Sequence, residues 1–444
     1  MTSFMQQFVF LLAAFCLMAS GLQAQTSPLA LSLSENDAVV LALRNNADIS
    51  VASDQVRRAD LQVREAKGNF MPRLTLTGNY TRNIDRPVIF FPESFGLGGA
   101  TKIGADNNFN AYLDLTVPLY SRYNIFARSY AQQNFPWQRE QLRQIRQTVT
   151  ADVKKAYYVC LLATETVRVR EKALHHAENN HLLIVEKTAR GVATEFDETS
   201  ARVRVAVFRN DLLDARDHVV PAQNALKLLL GVPPETTISL IDSLYLQDYE
   251  LMLIPDASEL TNNSVLRQRE QQVLLAQWQT GMARAAYYPV LSGTGTYQYQ
   301  SQQNDFRFSQ YQWVLTSAVG LRLQVPLFNG MITRSRVQQS LLAEGIARIE
   351  LNHACGYNEA RFAELVSRLN YSKERIAVQR DNIQLAEKAV KLVKERYHYG
   401  RASLLEVNSA ELDYVSARLS YFQSIADYKS KYCDIQLLVG HENP

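Results

Sequence analysis

Residues 396–407 read Arg-Tyr-His-Tyr-Gly-Arg-Ala-Ser-Leu-Leu-Glu-Val. Gly400 stands between two long stretches of helical periodicity. A carboxylate, Glu406, follows six residues later. A counterpart lies upstream: Lys187-Thr-Ala-Arg-Gly191-Val-Ala-Thr-Glu-Phe-Asp197, again with an acid six residues past the glycine. Glycine ends helices because it enters the left-handed region without a Cβ penalty. Gly191 and Gly400 are therefore read as the tips of two helical hairpins, 209 residues apart.

The flanks of both glycines carry heptad seams. Val149, Val153, Ala156, Cys160, Ala163 and Val167 recur alternately four and three residues apart, the spacing that knobs-into-holes packing needs. Past Gly191 the seam is Val205, Phe208, Leu212, Ala215, Val219, Ala222 and Leu226, with a kink expected at Pro221. Ile383, Ala386, Val390 and Val393 precede Gly400. Leu412, Val415, Leu419, Phe422 and Ala426 follow it. The first pattern covers about residues 126–190; unbroken, it would rise roughly 90–95 Å.

Upstream of each long pattern the period changes. A helix over 35–66, capped by Ser34 or Asn36, gives way to alternation around Leu74, Leu76 and Tyr80, then a loop over about 83–109. A second strand, 110–117, is closed by Pro118 and Leu119. The same order returns after a helix near 260–285, with strands beginning near Pro289 and at Trp313 and ending at Val325. Val325-Pro-Leu-Phe repeats Val117-Pro-Leu-Tyr, and Leu437-Leu-Val-Gly440 repeats Leu228-Leu-Leu-Gly231. Recurring anchors of this kind mark an internal duplication. The expected division is 1–24 signal peptide, 25–231 first repeat, 232–262 connector and 263–444 second repeat. The expected fold class is mainly α, with four strands per chain.

The chain has 444 residues and a formal net charge of only +3, with no long basic stripe to suggest nucleic acid. Residues 8–18 form an apolar core of secretory-signal length, with a cleavage point expected near Ala24. Cys160, Cys355 and Cys433 remain after it and are read as free, buried thiols. Beyond the signal there is no apolar run of about 18 residues or more, so no transmembrane helix is expected. Four amphipathic strands cannot close a barrel alone, and an open edge is not tolerated in lipid. Tyr80, Tyr112, Tyr120, Tyr297, Tyr299, Trp313 and Phe328 flank the apolar strand positions like an interfacial girdle. Several chains sharing one barrel, with the helices continuing as a tube, is the economical solution. The alternative is a periplasmic coiled-coil structural protein that uses the strands for docking.

The two-fold repeat, the proline-led strand pairs, the Val-Pro-Leu-Tyr/Phe strand ends and the glycine tips resemble the TolC family of outer-membrane efflux proteins, over about residues 35–441. The resemblance implies a homotrimer with a shared twelve-stranded barrel in the Gram-negative outer membrane and a long periplasmic α-barrel. It implies a passive exit duct for efflux or secretion, coupled to a periplasmic adaptor and an inner-membrane RND or ABC transporter, with no catalytic residues and no cofactor. It also implies site residues. Glu406 falls where the family has the first acid of its pore ring. Tyr397 matches the tyrosine that latches the tip, with Asp197 as its partner. Ser409 replaces the second ring acid, and Ala402 replaces the gate arginine, with Arg401 adjacent.

Other chemistry is weakly signalled. His175, His176 and His181 lack the one-face spacing of a metal site, as do His353 and Cys355. No glycine-rich phosphate loop or nucleophile–histidine–acid arrangement stands out.

Overall fold

The computed structural model describes residues 30–91, 99–244 and 253–441; the expected signal segment lies outside them. Seven α-helices are described: α1 Glu35–Asn45, α2 Ala47–Gly68, α3 Arg122–Ala189, α4 Glu195–Leu230, α5 Ser264–Ala285, α6 Ile332–His398 and α7 Leu404–Val439. The strands are β1 Ala30–Leu33, β2 Arg73–Arg82, β3 Val88–Phe91, β4 Gly99–Lys102, β5 Asn107–Ser121, β6 Thr237–Leu240, β7 Val290–Gln303 and β8 Val314–Gln324. The chain is mainly α with a small β part. Cα packing divides it into two units, one of residues 1–47, 146–255 and 362–444, the other of 48–145 and 256–361. Each unit takes segments from both the first and the second half of the chain.

In the second unit, β2, β5, β7 and β8 form one antiparallel sheet in that order. Its register separates two faces. Leu74, Leu115, Gly295 and Val319 stand in one cross-strand row; Leu76, Leu113, Tyr297 and Ser317 stand in another on the same face. The opposite face carries Thr75, Asp114, Thr296 and Ala318, then Thr77, Tyr112, Gln298 and Thr316. The period of two thus yields one apolar and one polar surface. The apolar side is uncovered within the chain: Val319 is 92% and Leu321 75% exposed. The outer edges of β2 and β8 have no partner strand among the described residues.

Several expected boundaries move. Residues 83–109 are not simply a loop, because β3 and β4 pair antiparallel within them. β5 does not stop at Pro118; the register slips between Pro118 and Tyr120, and the strand runs to Ser121. A bulge tolerates a proline that an ordinary ladder would not. From Ser121 the chain passes directly into α3. After β8 the chain turns instead through residues 325–331, where Gly330 and Met331 both have positive φ, 64° and 63°. The helix expected over 35–66 is two, parted at Asn46, whose Nδ2 donates to the Leu229 carbonyl at 3.0 Å. Ser34 caps α1, with Asp37 completing a capping box. Pro221, where a kink is expected, lies inside α4.

In the first unit the seams form the core. α3 buries Val149, Val153 and Cys160, and a second stripe through Tyr158, Leu161, Val169, Ala173 and Ile184. α4 buries Phe208, Leu212, Ala215 and Leu226, and α7 buries Val415, Phe422 and Ala426. Ile383, Ala386, Val390 and Val393 of α6 are only half-buried, and Leu412 is 41% exposed. Cys160 and Cys433 are buried free thiols, pushed up to about 12 and about 11 by desolvation. Cys355 is free but only half-buried, contrary to expectation. The segment expected to be a connector contains β6, which pairs parallel with β1. The Tyr157 hydroxyl lies 2.9 Å from the Leu33 carbonyl and 2.8 Å from Asp242 and shares its one proton between them, fixing this pair onto α3.

Candidate functional site at the helix tips

Both tips are built by the same local chemistry. Gly191 has φ +72° and Gly400 +68°. The Gly191 N–H donates to the Thr188 carbonyl at 2.9 Å, and Val192 N–H reaches Lys187 at 2.9 Å. At the second tip, Gly400 N–H donates to Tyr397 at 3.0 Å and Arg401 N–H to Arg396 at 2.8 Å. This is the Schellman pattern, which satisfies the last carbonyls of the incoming helix. Three residues on, Thr194 and Ser403 cap the outgoing helices, and Asp197 and Glu406 close capping boxes with them. The fixed distance between glycine and acid is thereby explained: a Schellman stop, a cap, and an acid at the third helical position.

Glu406 accepts from the Ser403 backbone N–H and hydroxyl, both at 3.1 Å. These bonds, aided by the Arg396 guanidinium 3.7 Å away, hold its carboxyl below the usual carboxylate range. Arg396 also donates to the Arg401 carbonyl at 3.1 Å and so spans the turn. Asp197 likewise accepts from Thr194, at 3.1 Å from the N–H and 2.7 Å from the hydroxyl.

Tyr397 packs with Ala193 against a buried cluster of Ile184, Ala201 and Leu404, which joins the two tips. The Lys187 ammonium lies 4.7 Å from its ring centroid. Burial pushes the Tyr397 hydroxyl up, and the Asp197 charge adds to the effect. Tyr397 and Asp197 are thus electrostatic neighbours, but no hydrogen bond joins them within the chain; the Asp197 carboxylate is taken up by its cap. Arg401 finds no side-chain partner among the described residues.

Two features escape the sequence reading. Arg204 of α4 donates to the Asn408 carbonyl of α7 at 2.8 Å, with its guanidinium 4.5 Å from the Phe208 ring. Its position one turn before a seam phenylalanine was the available signal. The tips also expose large apolar side chains: Val192 and Phe196 on one, Tyr399 and Leu405 on the other. Among the described residues no cluster of His, Cys, Asp or Glu could hold a metal ion, and no helix is long and apolar enough to cross a membrane.

The comparisons agree with this architecture. The outer membrane efflux protein profile matches residues 38–232 and 257–441. The chain is 21% identical over 385 residues to the cation efflux system protein CusC of Escherichia coli K12, covering 85% of this chain and 80% of that one. It is 24% identical over 418 residues to the outer membrane efflux protein BepC of Brucella suis, covering 94% and 87%. The crystal structure of the Campylobacter jejuni CmeC outer membrane channel superposes with a TM-score of 0.74 at 19% identity, covering 95% and 90%. With a matching profile over most of its length, this chain belongs to the outer membrane efflux protein family and is an outer-membrane efflux channel protein.

Proposed function

We propose that three copies of this chain join edge to edge into one exit duct, and that the hairpin tips are its periplasmic gate. The carrying observation is the four-stranded sheet, apolar on one face and unpaired at both edges. Such a sheet has no stable place in lipid until its edges meet other strands. Joining β8 of one copy to β2 of the next satisfies both edges, turns the Val319 row to lipid and lines the lumen with the Asp114 row. The periplasmic docking alternative leaves that apolar face without a purpose.

The chain is read as two repeats, 25–231 and 263–444, around the 232–262 connector. Cargo passes through without chemical change, so no catalytic step or cofactor is assigned. Three Glu406 carboxylates around one axis would form the charge ring, attracting cations. Tyr397 and Asp197 act beside it through packing and charge. The exposed Val192, Phe196, Tyr399 and Leu405 supply dry surface for a periplasmic adaptor, itself coupled to an inner-membrane RND or ABC pump. Fractionation tests the assembly. The chain should sediment with outer membranes and leave them as a trimer in detergent; recovery as a folded protein in detergent-free extract would overturn it.

A further inference from the structure

Between the two hairpins of the first unit lies a cavity of about 380 Å³ that all four long helices line. Its floor is apolar: Val169 and Ala173 from α3, Phe208 from α4, Val390 from α6 and Val415 from α7. Its rim is charged, and the charges are unevenly matched. Lys391 pairs with Glu387 at 3.3 Å, and Lys394 with Glu411 at 2.7 Å. That accounts for both rim acids. Lys172 and Arg418 are left without a carboxylate among the described residues. The Arg418 guanidinium rests near the rings of Tyr414 and Phe422, each 5.9 Å away.

We propose that this cavity binds a small monoanionic amphiphile, its tail on the Val169–Val415 floor and its carboxylate or sulfonate between Lys172 and Arg418. The volume falls in the range of small-ligand sites, about 300–1,000 Å³, and is too small for a helix or a folded peptide. A neutral apolar ligand would leave two cations unanswered, while a cation would meet a rim whose acids are already paired. An anionic head gains charge-assisted hydrogen bonds from both free cations. Because the ligand touches α3, α4, α6 and α7 together, it would bridge one hairpin to the other. Binding as such does not rest on the channel reading, so it is tested without conductance.

The test uses the full-length protein in lipid nanodiscs and photolabels it with decanoate carrying an alkyl diazirine, or with the matching neutral decanol. Mass spectrometry then locates the label. The expected result is decanoate label on the peptides that hold Val169, Ala173, Val390 and Val415, with about tenfold weaker labelling by decanol. Lys172→Gln with Arg418→Gln should weaken labelling by at least that factor, and Val390→Trp should block it by filling the floor, with the trimer retained in each variant. Equal labelling by decanol, undiminished labelling of the double variant, or label confined to the sheet would each overturn the proposal.

Discussion

Arg204→Met removes a charged hydrogen bond that crosses between hairpins near the tips while keeping the aliphatic stem. The lost hydrogen bond to the Asn408 carbonyl is charge-assisted and worth about 1.5–3 kcal/mol. The Phe208 contact adds about 1 kcal/mol. Against these stands the Arg204 Nε, buried with no acceptor, whose desolvation takes back about 1–3 kcal/mol. Burial also lowers the guanidinium's pKa, with the Glu411 and Asp211 charges opposing. The balance is about 1–2 kcal/mol per chain, so an opening that parts α4 from α7 should become about tenfold more frequent per chain. Single-channel recording in planar bilayers measures it. Arg209→Met is the control, because its exposed pair with Glu178 at 3.5 Å contributes little. An intact Arg204→Met trimer with wild-type open probability would refute the reasoning.

Glu406→Gln separates two roles, since glutamine still closes a capping box but carries no charge. Cation selectivity should fall while helicity holds; unchanged selectivity places the acid off the conducting path. Because Ser403 and Arg396 depress the Glu406 pKa, its charge is present above the ordinary carboxylate value and is lost only as pH falls through the lower folded value. Selectivity measured against pH should therefore persist as pH falls toward the ordinary carboxylate value; an earlier loss would show that repulsion among the three carboxylates outweighs the Ser403 and Arg396 bonds. Gly231→Ala should cut the yield of trimer sharply, because a Cβ there would lie 2.6 Å from the Asn45 carbonyl oxygen at φ +65°. Gly400→Ala meets open space and should cost only the left-handed strain, about 1–2 kcal/mol; equal losses would show that the clash is absorbed. Val319→Arg should cost about 2–4 kcal/mol and deplete the outer-membrane fraction, whereas Thr316→Arg on the other face should not.

Periodicity made most of this architecture readable. The heptad seams of α3 and α4 and the two-residue alternation of β2, β5, β7 and β8 are direct records of which side is buried. The capping boxes at Thr194 and Ser403 are also legible as short patterns, and their acids are the same residues that the family resemblance marks for the gate. Both descriptions concern the same carboxylates, because a cap fixes where a charge is held. Other features were not readable. Four-residue strands such as β1 and β6 carry too little pattern to announce a pairing across 207 residues. Pro118 reads as a strand end, because only the partner β7 reveals the bulge that carries the strand onward. Leu412 fits its seam but stays exposed in one chain, since a periodic pattern does not say whether the surface that covers it belongs to the same copy.

The parallel pairing of β1 with β6 also orders events in time. Ala30 meets Thr237 and Leu33 meets Leu240, so β1 has no ladder to join until more than half of the chain has emerged. Loop closure over that separation is entropically slow to begin and brings its return only at the end. β1 works as a buckle that can close only late, and Tyr157, which reaches both Leu33 and Asp242, is the pin that holds it.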